Sequence, residues 1–144
     1  MRDFIEDIEE DQADTVVVAD MEAGLEHLTW AGGTLRHVDL LLVVVQPTVK
    51  ARLTADRTLE LARQLGISRV AFVGNRCVGP DDVVRMEEFA AARGCDLLAA
   101  IPEDPAIGAA DRSSHCVLDA APASAAVAAI QALAERLEAD FLST

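Results

Sequence analysis

The chain has 144 residues, 51% hydrophobic and 26% charged, with 12 Lys and Arg against 25 Asp and Glu and a formal net charge of −13. A chain of this length buries roughly 70% of its unfolded surface, so a single domain over residues 1–144 is expected, stable without disulfides or a structural metal. Its acidity repels phosphate backbones and its aromatic content is 3%, which excludes nucleic acid as a partner.

The acidic opening, residues 1–14, places Phe4, Ile5 and Ile8 on one helical face and reads as the tail of a helix. Thr15-Val-Val-Val-Ala-Asp20 is a β-branched run ending in a carboxylate, and predicts a buried strand whose last residue emerges at the sheet edge. Residues 21–33 are polar and glycine-containing and predict a loop with room for a short helix. Residues 39–46 predict a second strand, closed by Pro47. Its apolar run from Leu40 to Val45 is far shorter than the roughly 20 residues of a membrane-spanning helix, so no span is expected. Ala55, Leu59, Ala62 and Leu65 then share one face of a helix, with Thr54 as its N-cap and Gly66 as its stop.

A third strand is predicted over 69–75 and a helix over 80–93, with Pro80 in its first turn and Asp81 and Asp82 at its positive end. Residues 97–101 predict the fourth strand. A less regular region follows Pro102-Glu-Asp-Pro105, after which Ser124 caps a last helix striped by Val127, Ile130, Ala134, Leu137 and Phe141. Strands that are apolar throughout and alternate with helices predict an α/β fold, a parallel sheet with helices on both faces. Cys77, Cys95 and Cys116 contain no CxxC pair, and with no apolar leader before them they read as reduced thiols of a cytoplasmic protein. The neighbours His115 and Cys116 lack a second ligand pair, so no metal site within one chain is expected.

Ligands of open parallel sheets bind beyond the carboxyl ends of the strands. The four predicted strands leave through Asp20, Gln46, Asn75, and Glu103 with Asp104. Polar strand ends also simply meet water, so residue identity has to distinguish the two cases. Asp20-Met-Glu-Ala-Gly-Leu-Glu-His27, then Asp39-Leu-Leu-Leu-Val-Val-Val-Gln-Pro47, Val73-Gly-Asn-Arg76 and Ile101-Pro-Glu-Asp104 stand in the order found in MinD/ParA-type ATPases. The first of these stretches most resembles the accessory ATPases that insert nickel into carbon monoxide dehydrogenase. The resemblance covers nearly the whole chain.

The resemblance implies ATP and Mg as cofactors and a role in metallocofactor maturation with a metalloenzyme client. It matches Asp20 to the carboxylate that holds Mg through water, and Gly24 to the switch glycine whose amide senses the terminal phosphate. It matches Asn75 to the residue that hydrogen-bonds adenine, and Pro102, Glu103 and Asp104 to the loop closing over the base. His27 falls in the switch-like loop and is as well explained as a surface group. Trp30 beside it is more simply a packing residue, and Asp81 with Asp82 is sufficiently explained by the helix dipole.

One departure is large. A phosphate-binding loop cradles phosphates with glycine-rich backbone amides and a lysine, and this sequence has no GxxxxGK[ST] stretch. Its single lysine, Lys50, follows Pro47-Thr-Val. The chain thus resembles the C-terminal half of the family, an incomplete P-loop NTPase fold lacking the P-loop strand, which in the family lies between the counterparts of strands 15–20 and 39–46. A truncated product, a mis-started reading frame or half of a split ATPase would each give this pattern. The expected partner is a second copy or a chain supplying the P-loop half, and ATP hydrolysis by this chain alone is not expected. The alternative is a non-catalytic module that docks on a partner chain.

Overall fold

The computed structural model describes residues 17–21 and 38–142, the side chains of 141 and 142 excepted. The described elements run β1 (Leu41–Val45), α1 (Val49–Gln64), β2 (Val70–Cys77), α2 (Gly79–Ala91), β3 (Asp96–Pro102), α3 (Pro105–Arg112), α4 (Val117–Ala120) and α5 (Ala125–Leu142). The three strands form a parallel sheet in the order β1-β2-β3, with Val43 beside Phe72 and Phe72 beside Leu97.

Right-handed crossovers between adjacent parallel strands put α1 and α2 on the same face. That face holds the main core: Val43, Val45 and Phe72 from the sheet meet Ala55 and Leu59 of α1 and Met86, Phe89 and Ala90 of α2. Phe72 and Phe89 meet edge to face with ring centroids 5.2 Å apart. The alternate strand residues Ala71, Val73 and Leu98 are also buried, and α5 packs against β3 on their side. Helices on both faces are therefore observed, as the uninterrupted apolar strands required.

Local chemistry sets the helix bounds. Helix α1 begins six residues before the expected Thr54, because Thr48 Oγ1 accepts a hydrogen bond from Ala51 N (3.2 Å) and caps it directly after Pro47. Thr54 instead bonds back to the Lys50 carbonyl inside the helix. Helix α2 begins at Gly79 with Pro80 in its first turn, and Asp82 Oδ2 accepts from Val78 N at 2.9 Å. Ser124 caps α5 as expected, accepting from Val127 N at 3.2 Å. The buried face of α5 differs from the expected stripe: Ala126 and Val127 are buried while Ile130 is 41% exposed, so small residues set its approach to β3. The region expected to be irregular after 105 contains α3 and α4. Between α1 and α2, Arg93 lies 3.6 Å from the Phe89 ring centroid and donates to both carboxylate oxygens of Asp56.

The strand expected over 15–20 is not found where it is described. Residues 17–20 have no regular secondary structure, with Val17 and Val18 exposed, and residues 15 and 16 lie outside the described part. A strand exists only by hydrogen bonding to a neighbour, and among the described residues none pairs with this run or with the outer edge of β1. Val44 of that edge strand is 62% exposed. The helix expected over 1–14, the loop over 22–33 and His37 also lie outside the described residues.

Candidate nucleotide-base site

The carboxyl ends of all three strands meet at a cavity of about 380 Å³ lined by Gln46, Pro47, Thr48, Arg76, Val78, Asp82 and Glu103. Gln46 to Thr48 is the β1–α1 connection, Arg76 and Val78 flank the end of β2, Asp82 lies in the first turns of α2, and Glu103 follows β3.

The irregular end of β2 shapes this site. Gly74 pairs with Ala100 and Cys77 with Pro102, so three residues of advance on β2 match two on β3. The extra residue is accommodated by a bulge in which Arg76 takes φ 56°, the left-handed region. Its N–H then donates to Oδ1 of the preceding Asn75 (2.9 Å), and its Nη2 donates to Glu103 Oε1 (3.0 Å). Glu103 N donates to the Cys77 carbonyl at 3.0 Å, which extends the β2–β3 ladder past Pro102. The hydrogen bond and charge of Glu103 push the Arg76 guanidinium pKa up. Burial pushes the Cys77 thiol up, with a further push from Asp82. The Cys77 side chain is buried in the core cluster.

Of the sequence-matched residues, the structure brings Asn75, Pro102 and Glu103 together around Arg76. Asp104 has a second task beside them. One carboxylate oxygen accepts from Ala106 N (2.9 Å) at the start of α3 and the other from Ala126 N (3.2 Å) at the start of α5. These two backbone bonds, with a smaller contribution from Ser124, hold its carboxyl below the ordinary aspartate value of 3.8. A depressed carboxylate contributes stability above its unfolded pKa and loses it as pH falls through the folded one. The Tm gap between the wild type and Asp104→Asn is therefore expected to be full above about pH 5 and to close on acidification below the ordinary aspartate range. A gap independent of pH would contradict this assignment.

Asp20 stands apart from the cavity. Its neighbour Met21 packs with Ala62 and Ile67, beside Leu41 and Val70, the first residues of β1 and β2. That is the amino end of the sheet. Asp20 is not among the residues lining the cavity, and among the described residues no strand pairs with 17–20. Gly24 and His27 lie outside the described residues. Among the described residues no group of three or more His, Cys, Asp or Glu is placed to hold a metal ion, and no helix is long and apolar enough to cross a membrane.

The same fold is found in solved MinD proteins. The chain superposes on MinD of Pyrococcus horikoshii complexed with Mg-ADP at a TM-score of 0.66 and 22% identity, covering 83% of this chain and 48% of that one. It superposes on MinD of Aquifex aeolicus at 0.64 and 21%, covering 79% and 48%. No protein-family model matches the sequence. Fold and sequence relatives together place the chain among the MinD/ParA-type ATPases, of which it corresponds to a C-terminal part. In sequence it is close to the carbon monoxide dehydrogenase accessory protein CooC of Rhodospirillum rubrum, 39% identical over 127 residues, 84% of this chain and 45% of that protein. An uncharacterised ATP-binding protein of Methanocaldococcus jannaschii is 36% identical over 91 residues, 63% of this chain and 35% of that protein. The chain thus spans less than half the length of the curated relatives it matches.

Proposed function

We propose that this chain carries the adenine-binding part of a MinD/ParA-type ATPase that serves metalloenzyme maturation, with nickel insertion into carbon monoxide dehydrogenase as the client reaction. The likeness to CooC supports the client. The observation that carries the base site is the pair Arg76 and Glu103 at the wall of a cavity formed by three strand ends, with Asn75 tied to the Arg76 backbone behind it. Polar groups held in fixed positions beside the apolar Pro47 and Val78 suit a flat ring with a hydrogen-bonding edge.

The same walls fit a phosphate chain poorly. Among the described residues Arg76 is the one cationic side chain lining the cavity, and Glu103 engages it. Asp82 and Glu103 add negative charge there, which raises the energy of a bound polyphosphate. The phosphates and their Mg²⁺ would be held by a glycine-rich lysine loop, which this sequence does not contain. Nucleotide affinity of the chain alone is therefore expected to be weak and hydrolysis absent. Charge-assisted phosphate contacts are worth roughly 1.5–3 kcal/mol each. Calorimetric titration of ATP with Mg²⁺, run beside a phosphate-release assay, tests this. Weak binding without turnover is the expected result, and sustained Mg-dependent turnover by the purified chain would overturn it.

A second reading is favoured by the outer edge of β1. Five apolar residues, Leu41–Val45, form a strand with the composition of a sheet interior, yet among the described residues it pairs on one side only and exposes Val44. Such an edge accepts another strand. In this reading the chain is a docking module whose partner is a second copy or a chain carrying the phosphate loop. A solution mass of one chain, unchanged by added partner, would count against it.

A further inference from the structure

Among the described residues β1 pairs with β2 alone. The hydrogen bond from Leu41 N to the Arg69 carbonyl (3.0 Å) fixes which of its backbone groups are spent. Alternate residues of a parallel ladder bond to the same neighbour, so Leu41, Val43 and Val45 address β2, while the N–H and C=O of Leu42 and Val44 point to the outer edge. On the other side of the sheet α5 packs against β3, and Arg136 Nη1 donates to the Leu98 carbonyl at 3.0 Å. The open edge is thus that of β1. It reads Leu41-Leu-Val-Val-Val45, without the lysine, proline or bulge that blocks strand addition.

The flank of α1 beside this edge is uncharged as well. Helix α1 lies against β1, and α2 against β2 and β3. Arg52, Asp56 and Arg63 face α2, where they meet Phe89 and Arg93. At about 100° per residue the opposite flank holds Ala51, Thr54, Thr58, Leu61 and Leu65. The Thr54 and Thr58 hydroxyls donate to the Lys50 and Thr54 carbonyls (3.2 and 3.1 Å), so neither needs a further acceptor. Strand edge and helix flank form one surface without charge, in a chain of net charge −13.

We infer that β1 is a self-association edge, through which two copies of this chain pair antiparallel about a two-fold axis at Val43. This rests on the docking reading above and names its partner. In a two-fold contact each patch meets itself, and an uncharged patch brings no like charges together. With the axis at Val43, Leu42 of one copy stands opposite Val44 of the other. These are the residues whose backbone groups point outward, so each such pair exchanges both N–H···O bonds, and Val43 faces its counterpart between them. Val44, 62% exposed in one chain, gains Leu42 of the second copy beside it on the same face. The helices fit the same axis. From Val43 to Pro47 the strand advances about 13 Å, and from Val49 to Thr58 the helix returns about 13 Å, which sets Thr58 level with Val43 and against its own counterpart. About ten residues per copy, against the roughly 20–30 of a standard interface, make this dimer weak and dependent on concentration.

Sedimentation equilibrium of the full chain from about 10 μM to about 1 mM tests this. The mass should rise from one chain toward two. Val44→Lys puts a charge on the open edge and Thr58→Glu sets two carboxylates together on the axis, and each should weaken association about tenfold or more. Leu53→Lys, on the outward face of α1 where Leu53 is 57% exposed, should leave it unchanged. Circular dichroism checks that each variant is folded, and Thr58→Glu carries the test if Val44→Lys is not. Association lost equally in Leu53→Lys is non-specific and overturns the inference, as does a dimer that survives both Val44→Lys and Thr58→Glu. A wild type of one-chain mass throughout overturns it too, and hydrogen exchange at the Leu42 and Val44 amides then separates the two readings. Fast exchange leaves the edge open to a chain carrying the phosphate loop, whereas protection shows it covered within the chain and removes the docking reading as well.

Discussion

Phe72→Ala is expected to cost about 3–5 kcal/mol of unfolding free energy, a large share of the roughly 5–15 kcal/mol that stabilises a domain. Phe72 is fully buried at the centre of the middle strand. It touches both covering helices through a cluster that includes Leu59, Met86 and Phe89, and it supplies one ring of the aromatic pair. Truncation removes that ring contact and leaves a void between helices tied together by Arg93 and Asp56, which restricts collapse into it. Urea unfolding followed by circular dichroism measures the loss. A change under 1 kcal/mol would mean that the α1–α2 face is not the main core.

Gly74→Val should be the next most damaging change, and it acts on the site as well as on stability. A Cβ at position 74 would stand 3.3 Å from Cys77 Sγ, 3.4 Å from Met86 Cγ and 3.6 Å from Ala100 Cα. The two further methyls of valine press into the same neighbours, and overpacking of this kind costs about 1–3 kcal/mol. The displaced residue precedes Asn75 and the displaced Cys77 closes the bulge, so nucleotide binding should fall beyond what the loss of folded chain explains. Adding Cys77→Ala removes one of the two tightest contacts and should recover part of the stability. A double variant no better than Gly74→Val would place the strain elsewhere.

The strands and helices from 39 onward were legible because their signals are local. Continuous apolar runs marked β1, β2 and β3, and Gly66, Pro80 and Ser124 marked helix ends through φ preference and capping. Thr48 was missed as the α1 cap because Thr54, six residues later, has equal capping chemistry and precedes the stronger stripe. The strand over 15–20 was misread because strand propensity describes a side chain's fit to a sheet, while pairing depends on a neighbour elsewhere in the fold.

Asn75 and Glu103 were in view by residue type and Arg76 within Val73-Gly-Asn-Arg76, and the structure draws these three to one edge of the sheet. The bulge at Arg76 was not readable, because a positive φ at arginine leaves no mark in sequence. Nor could sequence spacing show that Asp104 spends its carboxylate on two helix starts, since Ala126 lies 22 residues away and reaches it only through the packing of α5.

The central claim is that the strand ends around Arg76 bind the base of an adenine nucleotide. Its most direct measurement is a titration of ADP into isotope-labelled chain, followed residue by residue by NMR. The account predicts saturable shifts at the backbone amides of Asn75, Arg76, Val78 and Glu103, with residues at the amino end of the sheet, such as Ile67, unmoved. Saturable binding that shifts other residues and leaves these four in place, or no shift anywhere in a folded chain, would contradict it.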